Sequence, residues 1–195
     1  MDMKKFILIF MFSLSLMAQE NVVKINTLSL MVNTLSAFYE RKLTDIHTAQ
    51  LGFYFLSNFN QTNDGSGSSD KLTGFGITPE FRYYFKEAFK DYYIAPFIRF
   101  QSWTFIETTM MDDPSTPQVD EKLVTFRGVI NYFGGGVVIG QQTIIADKLV
   151  VDYFAGPAYY LTKVKSKDPN AANNYSGPLF DGFTIRFGAC IGFAF

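Results

Sequence analysis

Few side chains in this sequence are placed for catalysis. In 195 residues there is one histidine, His47, and one cysteine, Cys190. A lone thiol forms no intrachain disulfide and has no second cysteine for a structural zinc site. Serine-centred hydrolases need a base within hydrogen-bond reach of the nucleophile. His47 is expected in the short polar break that begins at Thr44-Asp45-Ile46, as a solvated turn residue rather than a base, whereas Ser66, Ser68 and Ser69 lie in a Gly-Ser run that reads as loop. Asp112, Asp113, Asp120 and Glu121 crowd one segment without the Asp-x-Asp-x-Asp-Gly spacing of a calcium loop, so a solvated acidic loop is expected. Gly134-Gly135-Gly136 with Gly140 misses the dinucleotide spacing, because Ile139 stands where the third glycine belongs. No catalytic, cofactor-binding or metal-binding residue is expected, and the chain reads as a non-enzyme.

What remains is a set of charges set among apolar residues: Glu80, Arg82, Arg99, Arg127, Asp152 and Arg186, with Glu40 and Glu107 expected nearer the rims. An arginine fork can hold a carboxylate bidentately, and charges away from water persist when paired. The expected role is a structural polar network; a gated proton or ion path is the sharper alternative. The elements that carry these charges decide where they meet.

Those elements alternate with a period of two. At the C-terminus Phe183, Ile185, Phe187, Ala189, Ile191, Phe193 and Phe195 take every second place, and Gly182, Thr184, Arg186, Gly188, Cys190, Gly192 and Ala194 fill the gaps. Such a strand shows tall apolar side chains on one face and small or polar ones on the other. The same reading sets Phe75, Ile77, Pro79, Phe81, Tyr83 and Phe85 against Gly74, Gly76, Thr78, Glu80, Arg82 and Tyr84. In 124–132 it sets Val124, Phe126, Ile130 and Tyr132 against Thr125, Arg127 and Asn131. Tyr83, Tyr92, Tyr132, Tyr153 and Tyr159 are candidates for an interfacial girdle. Pro79, Pro96 and Pro157 object to regular strands and are read as bulge or rim positions.

Aromatic residues make up 17% of the chain and charged residues 18%, against about 25% charged in average soluble domains. The net charge of −1 leaves no basic footprint for nucleic acid. Lys4 and Lys5, the apolar run Phe6 to Leu16 and the small residue Ala18 read as a secretory signal over residues 1–18, leaving 19–195 as one barrel domain. Bulky aromatics would overfill a small lumen, whereas a face of glycines and charges suits a tight polar interior. The membrane arrangement, apolar outside, is therefore preferred.

Connections support the count. Long polar segments at Asn60–Lys71, Thr108–Glu121 and Lys163–Pro178 alternate with short breaks near Thr44–His47, Lys86–Asp91 and Gln141–Lys148. Outer-membrane barrels place short turns inside and long loops outside. An even count requires two strands within Val22 to Leu43, divided by a turn at Val32-Asn33-Thr34, although one long kinked strand also fits. The expected fold is all-β: an eight-stranded antiparallel up-and-down transmembrane β-barrel.

Tyr39-Glu40-Arg41, Gly76-Ile77-Thr78-Pro79-Glu80-Phe81-Arg82-Tyr83-Tyr84-Phe85, Ala95-Pro96-Phe97 and Ala155-Gly156-Pro157-Ala158-Tyr159 together resemble a family of small outer-membrane β-barrel proteins known as a domain of unknown function. The resemblance implies an OmpA- or OmpX-like barrel shape in a Gram-negative outer membrane, and no activity. Phe195, last in an alternating aromatic strand, resembles the signal read by the outer-membrane assembly machinery. The expected partners are outer-membrane lipid, that machinery and an extracellular ligand met by the long loops, with the protein a monomer and its lumen filled by side chains. Two alternatives stand beside this: a carboxylate-based outer-membrane hydrolase acting on lipid or peptide, and a soluble secreted barrel carrying an apolar ligand.

Overall fold

The computed structural model describes residues 20–62, 69–112, 121–166 and 182–195. The candidate signal, Ser66, Ser68, Asp113 and Asp120 lie outside the described residues. Eight strands are present: β1 (Asn21–Asn26), β2 (Thr34–Lys42), β3 (His47–Thr62), β4 (Ser69–Tyr84), β5 (Tyr92–Asp112), β6 (Glu121–Ile145), β7 (Leu149–Ser166) and β8 (Gly182–Ala194). Each is antiparallel to its chain neighbour, and β8 pairs back with β1 to close a barrel. β3, β4, β5 and β7 each run several residues into the polar segments read as loops.

The segment Val22 to Leu43 is indeed two strands, but no tight turn joins them. A single helical turn, α1 (Thr27–Leu30), caps on the Asn26 side chain, which accepts from Leu28 N at 3.1 Å. Asn33, at φ 53°, then redirects the chain into β2.

Register fixes the barrel's dimensions. Paired residues lead from Val22 through Glu40, Gln50, Glu80, Phe97, Gly136 and Ala158 to Thr184, ten residues short of Ala194, the partner of Val22 across the closing seam. A shear of ten on eight strands gives a tilt of about 41° and a backbone diameter of ~17 Å, space for side chains and no open bore.

One end of the barrel is sealed by its turns. Residues 43–46, 85–91 and 146–148 close three hairpins there, and Asn21 and Phe195 exchange backbone hydrogen bonds of 3.0 and 2.9 Å beside them. Ala146 (φ 49°) and Asp147 (φ 63°) take the left-handed pair of conformations that suits a two-residue hairpin turn. Phe89 has φ 72°, a strained backbone for a bulky residue. Its ring is buried against Val22, Val150 and Ala194 as an inward cap. At the opposite end, called here the loop end, Phe105, Ile130 and Tyr132 form a separate apolar cluster with Trp103 and Leu72.

The three prolines are neither bulges nor rim positions. Pro79 and Pro96 face outward within the wall, and the β4–β5 pairing resumes in the same register on both sides of them, as the β6–β7 pairing does past Pro157. A proline on the outward face loses only its own ladder donor, and seams anchored on both sides tolerate that loss. The register shift described in the wall lies elsewhere, between Leu56 and Phe59.

Gly134 and Gly136 let β6 pack closely against β7. A Cβ on Gly136 would stand 2.8 Å from Ala158 Cα in the neighbouring strand. Gly136→Ala is therefore expected to push β6 from β7 and cost about 1–3 kcal/mol, read as a lower urea midpoint. An unchanged midpoint would show that the seam relaxes freely.

Candidate functional site

A single polar network fills the turn-end half of the lumen, and every strand supplies a side chain to it. Lys24 on β1 spends its three Nζ donors on Glu40 Oε2 (2.6 Å), Gln142 Oε1 (2.7 Å) and Asp152 Oδ2 (2.7 Å). Arg82 on β4 donates from Nε to Glu80 Oε1 at 2.7 Å and from Nη1 to Asp152 Oδ2 at 2.9 Å and Gln142 Oε1 at 3.0 Å. The remaining carboxylate oxygens are held as well. Thr48 (2.5 Å) and Tyr84 (2.8 Å) donate to Glu40 Oε1, and Tyr93 donates to Asp152 Oδ1 at 2.8 Å. Arg186 on β8 donates to Glu80 Oε2 at 2.6 Å while its guanidinium lies 4.3 Å from the Phe97 ring centre and 4.7 Å from that of Phe154. Both side chains of each ion pair that Lys24 and Arg82 make here are fully enclosed.

Of the residues singled out from sequence, Glu80, Arg82, Asp152 and Arg186 meet in this network. Arg99 borders it, donating from Nε to Thr78 Oγ1 at 3.0 Å. Arg127 does not join: it is exposed on the outside of β6, whose even positions, from Gly128 through Ile130, Tyr132 and Val138 to Gln142, face the lumen. The same parity turns Tyr132 inward, away from any outer girdle, because the loop end of the lumen is packed with apolar side chains. Glu40 is no rim residue either; register sets it opposite Gln50, itself opposite Glu80. The side chain of Glu107 is outside the described residues. Lys24 and Gln142 were missed, although Val23 and Ile25 flanking Lys24 already mark it as inward.

His47 opens β3 on the outer face at the turn end. Thr44 Oγ1 lies 2.8 Å from its Nδ1, and its ring centre lies 5.4 Å from those of both Phe81 and Tyr83. It is half-buried between rings rather than solvated. Cys190 is buried on the lumen side. Phe195 completes the closing seam.

The lumen is not filled throughout. Above the network lies a cavity of about 490 Å³, bordered by Ser36, Phe38, Gly52, Thr78, Arg99, Trp103, Phe154 and Arg186. Small side chains at Ser36, Gly52 and Thr78 leave the space. Trp103 donates to the Tyr54 hydroxyl and packs against the Tyr132 ring at 4.8 Å.

The outside reverses ordinary polarity. Phe183, Ile185 and Phe187 are 68%, 64% and 65% exposed, and Phe53, Phe75, Phe133, Ile139 and Leu161 continue the apolar surface round the wall.

These features define a class: closed eight-stranded antiparallel barrels with charges enclosed and aromatic residues displayed. Within it, the family model described as "Protein of unknown function (DUF3575)" matches residues 4–177, nearly the whole chain, and the protein belongs to that family. No curated protein matches the chain.

Proposed function

We propose that the protein is an integral outer-membrane β-barrel, exported by its N-terminal signal, whose polar network seals the lumen and whose role is structural or interactive, exercised through the loop end. The carrying observation is the pairing of opposites across one wall: large apolar side chains exposed on the outer face of all eight strands, over an ion-paired interior. A water-filled setting would penalise that surface, since monomeric soluble proteins rarely expose apolar patches beyond a few hundred Å². β3 to β8 run 13 to 25 residues, enough to cross a bilayer that a tilted strand of about 9–11 residues spans. Among the described side chains the outer face of the strands carries Arg41 near the turns and Lys71, Arg127, Lys163 and Lys165 near the loop end, leaving the band between them uncharged.

The protein is expected to float with phosphatidylcholine vesicles, to require detergent after extraction and to migrate differently on a gel before and after boiling. A purified chain that stays monomeric in buffer without detergent would defeat the membrane assignment.

A further inference from the structure

The charges of the lumen do not balance. Lys24, Arg82, Arg99 and Arg186 face Glu40, Glu80 and Asp152 among the described residues, leaving one positive charge over. The excess sits at the cavity. Arg99 has Thr78 as its hydrogen-bond partner and no described carboxylate, and Arg186, though 95% buried, leaves Nε and Nη2 without partners. Two cationic side chains thus border a space whose apolar lining includes Phe38, Trp103 and Phe154, in the ~300–1,000 Å³ range of small-molecule sites. A buried guanidinium N–H left unpaired is costly, and a carboxylate is its best geometric match.

The wall beside the cavity is incomplete. β1 ends at Asn26, opposite Cys190, so residues 182–189 of β8 have no described ladder partner on that side. Only α1 spans the gap there, tied to β8 by a 3.0 Å hydrogen bond from Thr27 Oγ1 to Ala189 O. Ile185 and Phe187 point outward from β8, yet they border the same cavity as Arg99 and Arg186. The space therefore reaches the apolar exterior through the wall.

We propose that this cavity binds a single-headed anionic amphiphile of the fatty-acid class, its carboxylate on Arg99 and Arg186 and its chain along Phe38, Trp103 and Phe154 toward the opening beside α1. The site itself stands independently of the membrane assignment; only lateral access from lipid rests on it.

Trp103 is the sole tryptophan of the sequence and lines the cavity, so it reports occupancy. Dibromostearate, added to the full-length protein in phosphatidylcholine vesicles, is expected to quench its fluorescence saturably. The methyl ester of the same acid, and the acid tested on Arg99→Gln, are expected to bind roughly ten- to a hundredfold more weakly, with Arg99→Lys recovering part of the loss. Equal quenching by acid and ester, unchanged in Arg99→Gln, would overturn the proposal and assign the effect to bilayer partitioning; no quenching by either would overturn it too. Failure of the membrane assignment is read separately, by flotation of the same sample, and the titration is then repeated in buffer.

Discussion

Arg82→Ala is expected to destabilise the barrel by about 3–5 kcal/mol, the cost of breaking a buried ion pair from one side. Arg82 is the only described side chain that donates to both Glu80 and Asp152, and its guanidinium also lies 4.2 Å from the Tyr93 ring centre. Removing it leaves Glu80 to Arg186 alone and Asp152 to Lys24 alone, each fully enclosed carboxylate keeping one cation where it had two. The measurement is the urea midpoint of the folded form in vesicles, and a midpoint equal to the parent's would show that the network does not hold the barrel together. Planar-bilayer recordings on the same variant and on Glu80→Ala separate the two roles considered for these charges. A structural seal predicts no conductance before or after substitution, because Phe89 still caps the turn end. A clear rise in single-channel current would identify a gated path.

Ile139→Arg tests the other face of the wall and is expected to cost about 2–4 kcal/mol at the bilayer midplane. Ile139 is 60% exposed on β6, midway between the outward residues Ile145 and Phe133, with Ile94 and Ala155 as its cross-strand partners. In lipid, that position lies far from either headgroup region. In water, an exposed substitution of this kind falls within about 0.5 kcal/mol of neutral. The two settings thus predict outcomes several kcal/mol apart for one change. A neutral result would remove the argument from surface polarity.

β8 was legible because its two faces differ in kind. Phe183, Ile185 and Phe187 alternate with Gly182, Thr184 and Arg186, so periodicity alone assigns in and out. β6 was misread for the opposite reason: Phe126 and Ile130 share a parity with Tyr132, and an apolar side chain fits both a lipid-facing wall and the loop-end cluster with Phe105. Parity gives two faces, and only the closed ring says which is inside. Glu40 and Lys24 entered the network through shear, which carries residues from distant sequence positions to one height. That offset depends on connection geometry, including the seven residues between Asn26 and Thr34, and no local pattern encodes it. The cavity was invisible for a related reason. It arises from the joint smallness of Ser36, Gly52 and Thr78 on three strands facing two arginines on others.

The participation of every strand in one network constrains how the molecule can assemble. Lys24 stands on the first strand and Asp152 on the seventh, and they come together only across the seam that β8 closes with β1. No isolated hairpin can satisfy its own charges, since the partners of β4's Arg82 include Asp152 and Gln142 from the far side of the ring. A half-formed sheet laid on a bilayer would present bare carboxylates and ammonium groups toward hydrocarbon. The intermediate states are therefore penalised as a group, and mating of the first and last strands becomes the step at which the chain commits, all at once, to its final shape.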